Sequence, residues 1–505
     1  MAVFRLFLLF IKMALHLITI EFSIHAINTF ADKISSRLAS SGIMCYIMHN
    51  KRFRKKEWLT TSSELRYQKM TQTPVSKLIL QLGIPTTISM LITSIYNMAD
   101  TYFVGTLGES AQAATGVIFT LQAIIQGIAF MLGHGGGTFI SKFLAARETD
   151  MATRYISSSF FAGGAIGIVI LTLGLSFLTP LVYFLGSTTT IAPYAMQYGF
   201  WILIASPFII CSMILNNGLR YEGCAVYAMV GLTTGGILNI FGDWLLVAQL
   251  NMGVFGAGMA TAISQVISFA ILLIMYCRMA QSKIRIRAVS KDWKVYFSIC
   301  KVGLPSLIRQ GLSSVTSGVL NNLTKPFGDA AIAAMSVVNR YSMFLMCVGL
   351  GIGQGFQPVA AFNYQAKKYK RVKQGLVFTM CFGLVFIGGI SLVSMIAAEP
   401  IIGLFQKKEA VIEVGSVALR YAAIGMMFMP FSVPVNMLYQ SIQKPTISSV
   451  LSMIRSGAVT IPMLLIGVPL LQLTGVQIAQ PTADIIAGLI SIPFIIHFLR
   501  KHPNE

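Results

Sequence analysis

Gly83-Ile84-Pro85, set inside a long apolar run, returns 220 positions later as Gly303-Leu304-Pro305. At the same offset Gly108-Glu109 answers to Gly328-Asp329, Ala113-Ala114 to Ala333-Ala334, Gly133 and Gly135 to Gly353 and Gly355, and Arg147 to Lys367. Such agreement marks an internal duplication. A duplicated hydrophobic bundle is how many secondary transporters are built, with the substrate path between the halves.

The composition fits a membrane bundle. A chain of 505 residues with 55% hydrophobic and 11% charged residues is too apolar for a soluble globule of its size. Its apolar stretches are about 20 to 30 residues long, enough to cross a hydrocarbon core of roughly 30 Å as helices. Twelve spans are expected, at 78–104, 113–146, 155–178, 191–219, 226–249, 256–279, 298–322, 330–362, 374–397, 411–440, 446–470 and 475–499. Six fall in each half, and an even number gives both halves the same orientation. The expected fold is an all-α integral membrane protein, twelve transmembrane helices in two six-helix lobes related by a pseudo-twofold axis along the membrane normal. Residues 70–280 form the N-terminal lobe, 281–297 a cytoplasmic linker, and 298–505 the C-terminal lobe.

The net charge of +21 tempts one toward nucleic acid, but its placement does not. Lys142, Arg147 and Arg154, then Arg278 to Lys294, then Lys367 to Lys373, fill alternate loops, while the loops between hold little more than Lys325, Lys407 and Lys408. This is the positive-inside pattern. It puts both termini in the cytoplasm and the chain in the cell membrane as a multi-pass protein, with the lipid bilayer and no nucleic acid as partner. The seven cysteines are scattered without metal-ligand or disulfide spacing.

Residues 1–69 lie outside the repeat and read as a dispensable extension. Met70-Thr-Gln-Thr-Pro74 looks like a natural beginning. The basic stretch 278–301 joins the lobes as a charged crossover. Pro85, Pro207, Pro305, Pro358, Pro430 and Pro434 fall inside spans, where they can mark bends whose freed backbone groups neighbours satisfy.

Few acids lie within a span, and each costs roughly 2.5–3.5 kcal/mol to insert. Asp100 closes Tyr96-Asn-Met-Ala-Asp100 and Asp243 closes Asn239-Ile-Phe-Gly-Asp243, so each acid has a polar residue four positions back on the same helical face. The turn after the fifth span centres near Met252, midway between Asp243 and Thr261, and Asp100 is equally far from its own outer turn at Gly108-Glu109. At about 1.5 Å per residue all three lie roughly 13 Å below the outer surface. The spacing predicts one polar cluster of Tyr96, Asp100, Asn239, Asp243 and Thr261 in the N-terminal lobe. Two carboxylates in one dry site cannot both ionise cheaply and titrate as a unit. The cluster is therefore a protonation site or, with Asp100, Asn239, Asp243 and Thr261 supplying oxygens, an Na⁺ site.

The C-terminal lobe carries Arg309, Arg340, Arg420, Arg455 and Asp484 within its spans. Arg340, Arg420 and Asp484 share a depth and suggest a structural ion pair. The 27 methionines include Met335, Met343 and Met346 of the eighth span. Met335, Arg340 and Met343 are candidates for a substrate cavity, because methionine makes a pliable wall.

Over roughly 70–500 the chain resembles the multidrug and toxic compound extrusion (MATE) family. The resemblance rests on the Gly-Ile-Pro opening, on Tyr96-Asn-Met-Ala-Asp100-Thr-Tyr-Phe-Val-Gly105, and on the glycines of 133–137. Asn239, Asp243 and Thr261 are similar to the polar cluster of its DinF-like branch. The resemblance implies twelve helices in two lobes and export of cationic drugs in exchange for inward H⁺ or Na⁺, with no cofactor. It implies that Asp100 is the main coupling residue. The seventh span lacks the acid of the other well-known branch, and the tenth has only Glu413 at its outer end. A monomer is expected.

An alternative reading is a flippase for lipid-linked precursors, which would want a basic cavity; Arg340 and Arg420 are its best support. An enzyme is not expected. His134-Gly135-Gly136-Gly137 imitates an esterase oxyanion loop, but no Gly-x-Ser-x-Gly accompanies it, and the run reads better as a place where helices approach closely. No lysine follows a glycine, so there is no Walker A motif.

Overall fold

Apolar runs in lipid must satisfy their backbone groups internally, and helices do so. The computed structural model describes residues 64–501, and the regular structure there is helical. Ten helical segments are long and apolar enough to span a bilayer, and Glu409–Met426 with Met429–Ser441, bent by 47°, adds an eleventh. One of the ten, Trp293–Gln365, has 73 residues. At 1.5 Å per residue that is about 110 Å, far beyond any bilayer. It is interrupted by a 3-10 turn at Lys325–Phe327, followed by Gly328 at φ 83°. Counted as two, it brings the total among the described residues to twelve.

These are α1 (Val75–Gly105), α2 (Glu109–Ala145), α3 (Thr149–Ser176), α4 (Ala192–Tyr221), α5 (Ala225–Gln249) and α6 (Gly253–Met279) in the first half. The second half has α7 (Trp293–Thr324), α8 (Gly328–Gln365), α9 (Tyr369–Ile396), the bent α10 (409–441), α11 (Pro445–Leu471) and α12 (Leu473–Lys501). The expected spans match these helices, but several begin too late; α3 starts at Thr149 and α9 at Tyr369. Hydropathy finds the part of a helix in hydrocarbon. The backbone ladder runs on through polar turns such as Thr149-Asp-Met-Ala-Thr-Arg154. Residues 1–63 and 502–505 are not described, so the extension proposed for 1–69 lies almost wholly outside the described residues.

The duplication is visible in the packing. In the first half α4 packs on α2, α3 and α6, and α5 on α1 and α6; in the second α10 packs on α8, α9 and α12, and α11 on α7 and α12. Asn216 Nδ2 donates to Ala228 O at 3.1 Å, and its counterpart Asn436 Nδ2 donates to Ser448 O at 2.7 Å. Arg147 and Lys367, again matched, both adopt positive φ (63° and 57°).

The lobes are joined crosswise, α1 against α8 and α2 against α7. Both contacts are made by the glycines that first revealed the repeat. A Cβ on Gly355 would strike the backbone of Gly83, and one on Gly303 would strike the backbone of Met131. One on Gly135 would strike Ile299 O. These contacts lie toward the end of the bundle that carries the basic loops, called here the basic end. Toward the other end Gly116, Gly311 and Gly318 are open, and a Cβ on any of them would meet nothing within 4 Å.

A buried polar network closes the basic end between the lobes. Arg220, 2% exposed, donates to Gln354 Oε1 of the other lobe and to Asn217 Oδ1 at 2.5 Å, with His134 Nε2 at 3.1 Å. His134 Nδ1 lies 2.9 Å from Ser306 Oγ across the interface, and Ser306 in turn accepts from Gln440 Nε2 at 2.9 Å. Gln440 is the repeat counterpart of Arg220. Among the described residues no carboxylate pairs with Arg220, so neutral oxygens solvate its charge. Such bonds can be exchanged for water without separating an ion pair.

The close approach at Gly303 leaves no room for a side chain. Gly303→Val is expected to destabilise this packed form by about 1–3 kcal/mol and to lower the melting temperature of the purified protein, whereas Gly318→Val leaves it near wild type. Equal melting temperatures for the two variants would contradict the contact.

Candidate functional site

Away from the basic end, the first lobe surrounds a small polar cavity. Its volume is about 30 Å³, room for an ion or one to two waters. Tyr96, Asn97 and Asp100 reach it from α1, Tyr198 from α4, Asn239 from α5, and Thr261 and Gln265 from α6. Asp100 is 8% exposed and its Oδ2 accepts from Tyr198 OH at 2.8 Å. Asn239 Nδ2 donates to Thr261 Oγ1 at 3.0 Å, tying α5 to α6. Tyr96 is hydrogen-bonded to Gln265 and lies against Gly236.

Asp243 is fully buried at the last α-helical turn of α5 and close enough to Asp100 for their charges to interact. The helix then widens into a π segment, Trp244–Gln249. The depth count placed Asp243 opposite Thr261. The observed bond to Thr261 comes instead from Asn239, one turn deeper, and Gly242 faces Ala260.

Several acceptors here lack a donor. Asp100 Oδ1, Asn239 Oδ1 and both oxygens of Asp243 are buried without a hydrogen-bond partner. Buried oxygens ordinarily find a donor, and four together form an electronegative pocket that a proton or a small cation would satisfy. Among the described residues no three His, Cys, Asp or Glu side chains gather as a metal site. A cation here would rest on two carboxylates and on neutral oxygens, a donor set of the hard-oxygen kind suited to Na⁺.

Of the sequence-derived residues, Tyr96, Asp100, Asn239 and Thr261 line this one cavity, and Asp243 lies beside it. Tyr198 was missed. It sits six residues into α4, and the depth count used for the acids would have brought it near their level had it been applied to hydroxyls. The second-lobe candidates scatter. Met335 is 6% exposed and packs in the core with Leu320, Leu419 and Leu464 rather than on a cavity wall. Met343 is 48% exposed and Arg340 is exposed one turn before it. The pairing expected among Arg340, Arg420 and Asp484 is replaced by two others: Asp484 binds Arg455 at 2.9 Å and Arg420 binds Glu399 at 3.0 Å. Glu399 comes from the short helix Ala398–Phe405 beyond α9, which reaches back to α10.

Two six-helix lobes of matched topology, joined through close backbone contacts, define a membrane transporter. The model of the MatE family matches twice, over residues 85–245 and 305–466, once in each half. The chain belongs to the MATE family, whose members are secondary transporters and not enzymes. Multidrug export protein MepA of Staphylococcus aureus (strain NCTC 8325 / PS 47) is 26% identical over 431 residues, which covers 85% of this chain and 95% of that protein. Two solved structures share the fold, each at 24% identity over 86% of this chain and 98% of theirs. One is a MATE transporter in complex with MaL6 (TM-score 0.80), the other an outward-facing multidrug resistance MATE family transporter of the MOP superfamily (TM-score 0.79).

The Asp100–Tyr198 bond can be tested by a double-mutant cycle. Tyr198→Phe leaves a buried carboxylate oxygen without its donor and is expected to destabilise the protein by about 1–3 kcal/mol. The loss should shrink when Asp100 is already Asn. Additive effects in denaturant unfolding would contradict the bond.

Proposed function

We propose that this protein is a cation-coupled multidrug efflux antiporter of the cell membrane, exporting organic cations in exchange for inward H⁺ or Na⁺. The observation that carries the reading is the set of four unpartnered buried oxygens around Asp100, Asn239 and Asp243. Such a pocket attracts a cation and is costly to leave charged in a low-dielectric lobe. The kinship with a multidrug export protein supports the substrate class. The positive-inside pattern supports a cytoplasmic basic end, with both termini there.

In this reading the outward-open protein takes up a proton or Na⁺ at Asp100 and Asp243. Neutralising the pair removes the charge that favoured a cationic drug, and the drug leaves. Asp100 stands on α1, and α1 also carries Gly83 of the inter-lobe contact, so a change at the acid is mechanically linked to that contact. The lobes then rock about the 281–297 linker, the Arg220 network opens, and the cavity faces the cytoplasm. One charge moving through 100 mV contributes about 2.3 kcal/mol, on the order of a fifty-fold concentration ratio. The cycle needs a single subunit, Arg340 and Met343 stand among the candidate substrate contacts, and residues 1–69 take no part.

The flippase alternative wants free basic groups in the central cleft. Arg420 is engaged by Glu399, which leaves Arg340 as its remaining support.

The test is efflux of a fluorescent organic cation from proteoliposomes under an imposed pH or Na⁺ gradient. Wild type is expected to respond to at least one gradient. Asp100→Asn, with equal protein in the membrane, should lose most of that gradient-driven transport, on the order of tenfold or more if the coupling ion binds there with about 1.4 kcal/mol or more of useful energy. Undiminished transport by the variant would overturn the coupling role.

A further inference from the structure

The basic end carries a second, chemically different cleft, about 560 Å³ in volume, between the two lobes. Phe139 of α2 forms one wall, Ser298 and Lys301 of α7 another, and Gln443, Lys444 and Thr446 at the α10–α11 turn the third. No carboxylate lines it. Helix α11 begins at Pro445, so the first-turn amides of Thr446 and Ile447 have no intrahelical acceptor and present the positive end of the helix dipole to the cleft. Two ammonium groups, the Thr446 hydroxyl and a helix start around one cleft form a phosphate-binding chemistry, while the Ser298 hydroxyl donates to Lys294 O at 2.7 Å.

Gln443 supports a built site. It is held at φ 60°, a left-handed conformation uncommon for residues with a side chain, whereas its repeat counterpart Gly223 has φ 81° and no side chain to strain. Its Oε1 accepts from Lys142 Nζ of the other lobe at 3.0 Å, and its Nε2 has no partner. The repeat did not supply this chemistry. The positions 220 earlier than Lys301, Gln443, Lys444 and Thr446 are Gln81, Gly223, Cys224 and Val226.

The neighbouring surface indicates where the phosphate comes from. Phe297 (58% exposed), Lys301 and Leu304 (41%) follow one another at helical spacing on α7, and the exposed face continues to Val315 (55%). Trp293, 75% exposed, opens this helix, and tryptophan favours the headgroup region. A basic cleft at headgroup depth that opens onto an apolar helix face suits an acyl chain attached to the phosphate.

We propose that this cleft binds the phosphate headgroup of an anionic phospholipid, with its acyl chains along the Leu304–Val315 face of α7. Because Phe139 and Lys142 belong to one lobe and the remaining groups to the other, an occupied cleft favours the form in which the basic ends are closed together. The assignment requires no drug or ion coupling.

The test uses the purified full chain in phosphatidylcholine nanodiscs, with phosphatidylglycerol or inorganic phosphate added, reading thermal stability and retained lipid by native mass spectrometry. Phosphatidylglycerol is expected to raise the melting temperature of wild type. The shift and the retained lipid should fall by at least half in Lys301→Gln/Lys444→Gln, and partly in each single variant. Lys407→Gln/Lys408→Gln, at the opposite end, should keep both. Full retention in the lysine pair and in both single variants would overturn the site. Stabilisation by millimolar inorganic phosphate with no further effect of phosphatidylglycerol would overturn the lipid assignment in favour of a soluble anion.

Discussion

A carboxylate within a membrane helix must be matched by something that water would otherwise supply, and the first lobe is arranged around that requirement. Asp100 finds one donor, Tyr198, for one oxygen, and Asp243 finds none. Here the acids come from α1 and α5, and the helices beside them, α4 and α6, bring hydroxyl and amide groups rather than cations. Even so, four acceptor oxygens are left without a donor in this arrangement, a local excess of negative character. It gives a mobile cation a reason to enter.

The second constraint is that the lobes must hold together without fusing. Reciprocal glycine contacts, Gly83 with Gly355 and Gly303 with Met131 beside Gly135, bring backbones into close approach at one end. In lipid, helix association gains from such packing because no hydrophobic effect acts between apolar helices. The polar network of Arg220, His134, Ser306, Gln354 and Gln440 adds specificity, and its bonds are of the kind that water can replace. Both features lie at the same end, where they hold the lobes closed together.

Much of this was legible in the sequence because membrane insertion and duplication are one-dimensional constraints. Apolar length gave the helices, the 220-residue offset gave their grouping, and the glycines of the repeat proved to be the residues of inter-lobe contact. The polar cluster was legible through depth, since residues equally far from their turns lie at one level. Three features were not. Tyr198 carries no charge and so shows no insertion cost. The π segment after Asp243 and the break at Met427-Phe428 depend on local backbone packing. The partner of Asp484 was missed because Arg455, in the π segment Ile454–Ala458, lies deeper by residue count, and its long side chain spans the difference.

The most direct test of exchange at one site is proton or Na⁺ release on drug binding, measured calorimetrically in buffers of different ionisation enthalpy and Na⁺ content with the purified protein and a lipophilic cation such as tetraphenylphosphonium. Competition at Asp100 and Asp243 predicts that binding displaces the coupling ion in wild type, and that Asp100→Asn/Asp243→Asn abolishes the displacement. Drug binding that releases neither ion in wild type, or an unchanged release in the double variant, would contradict the account.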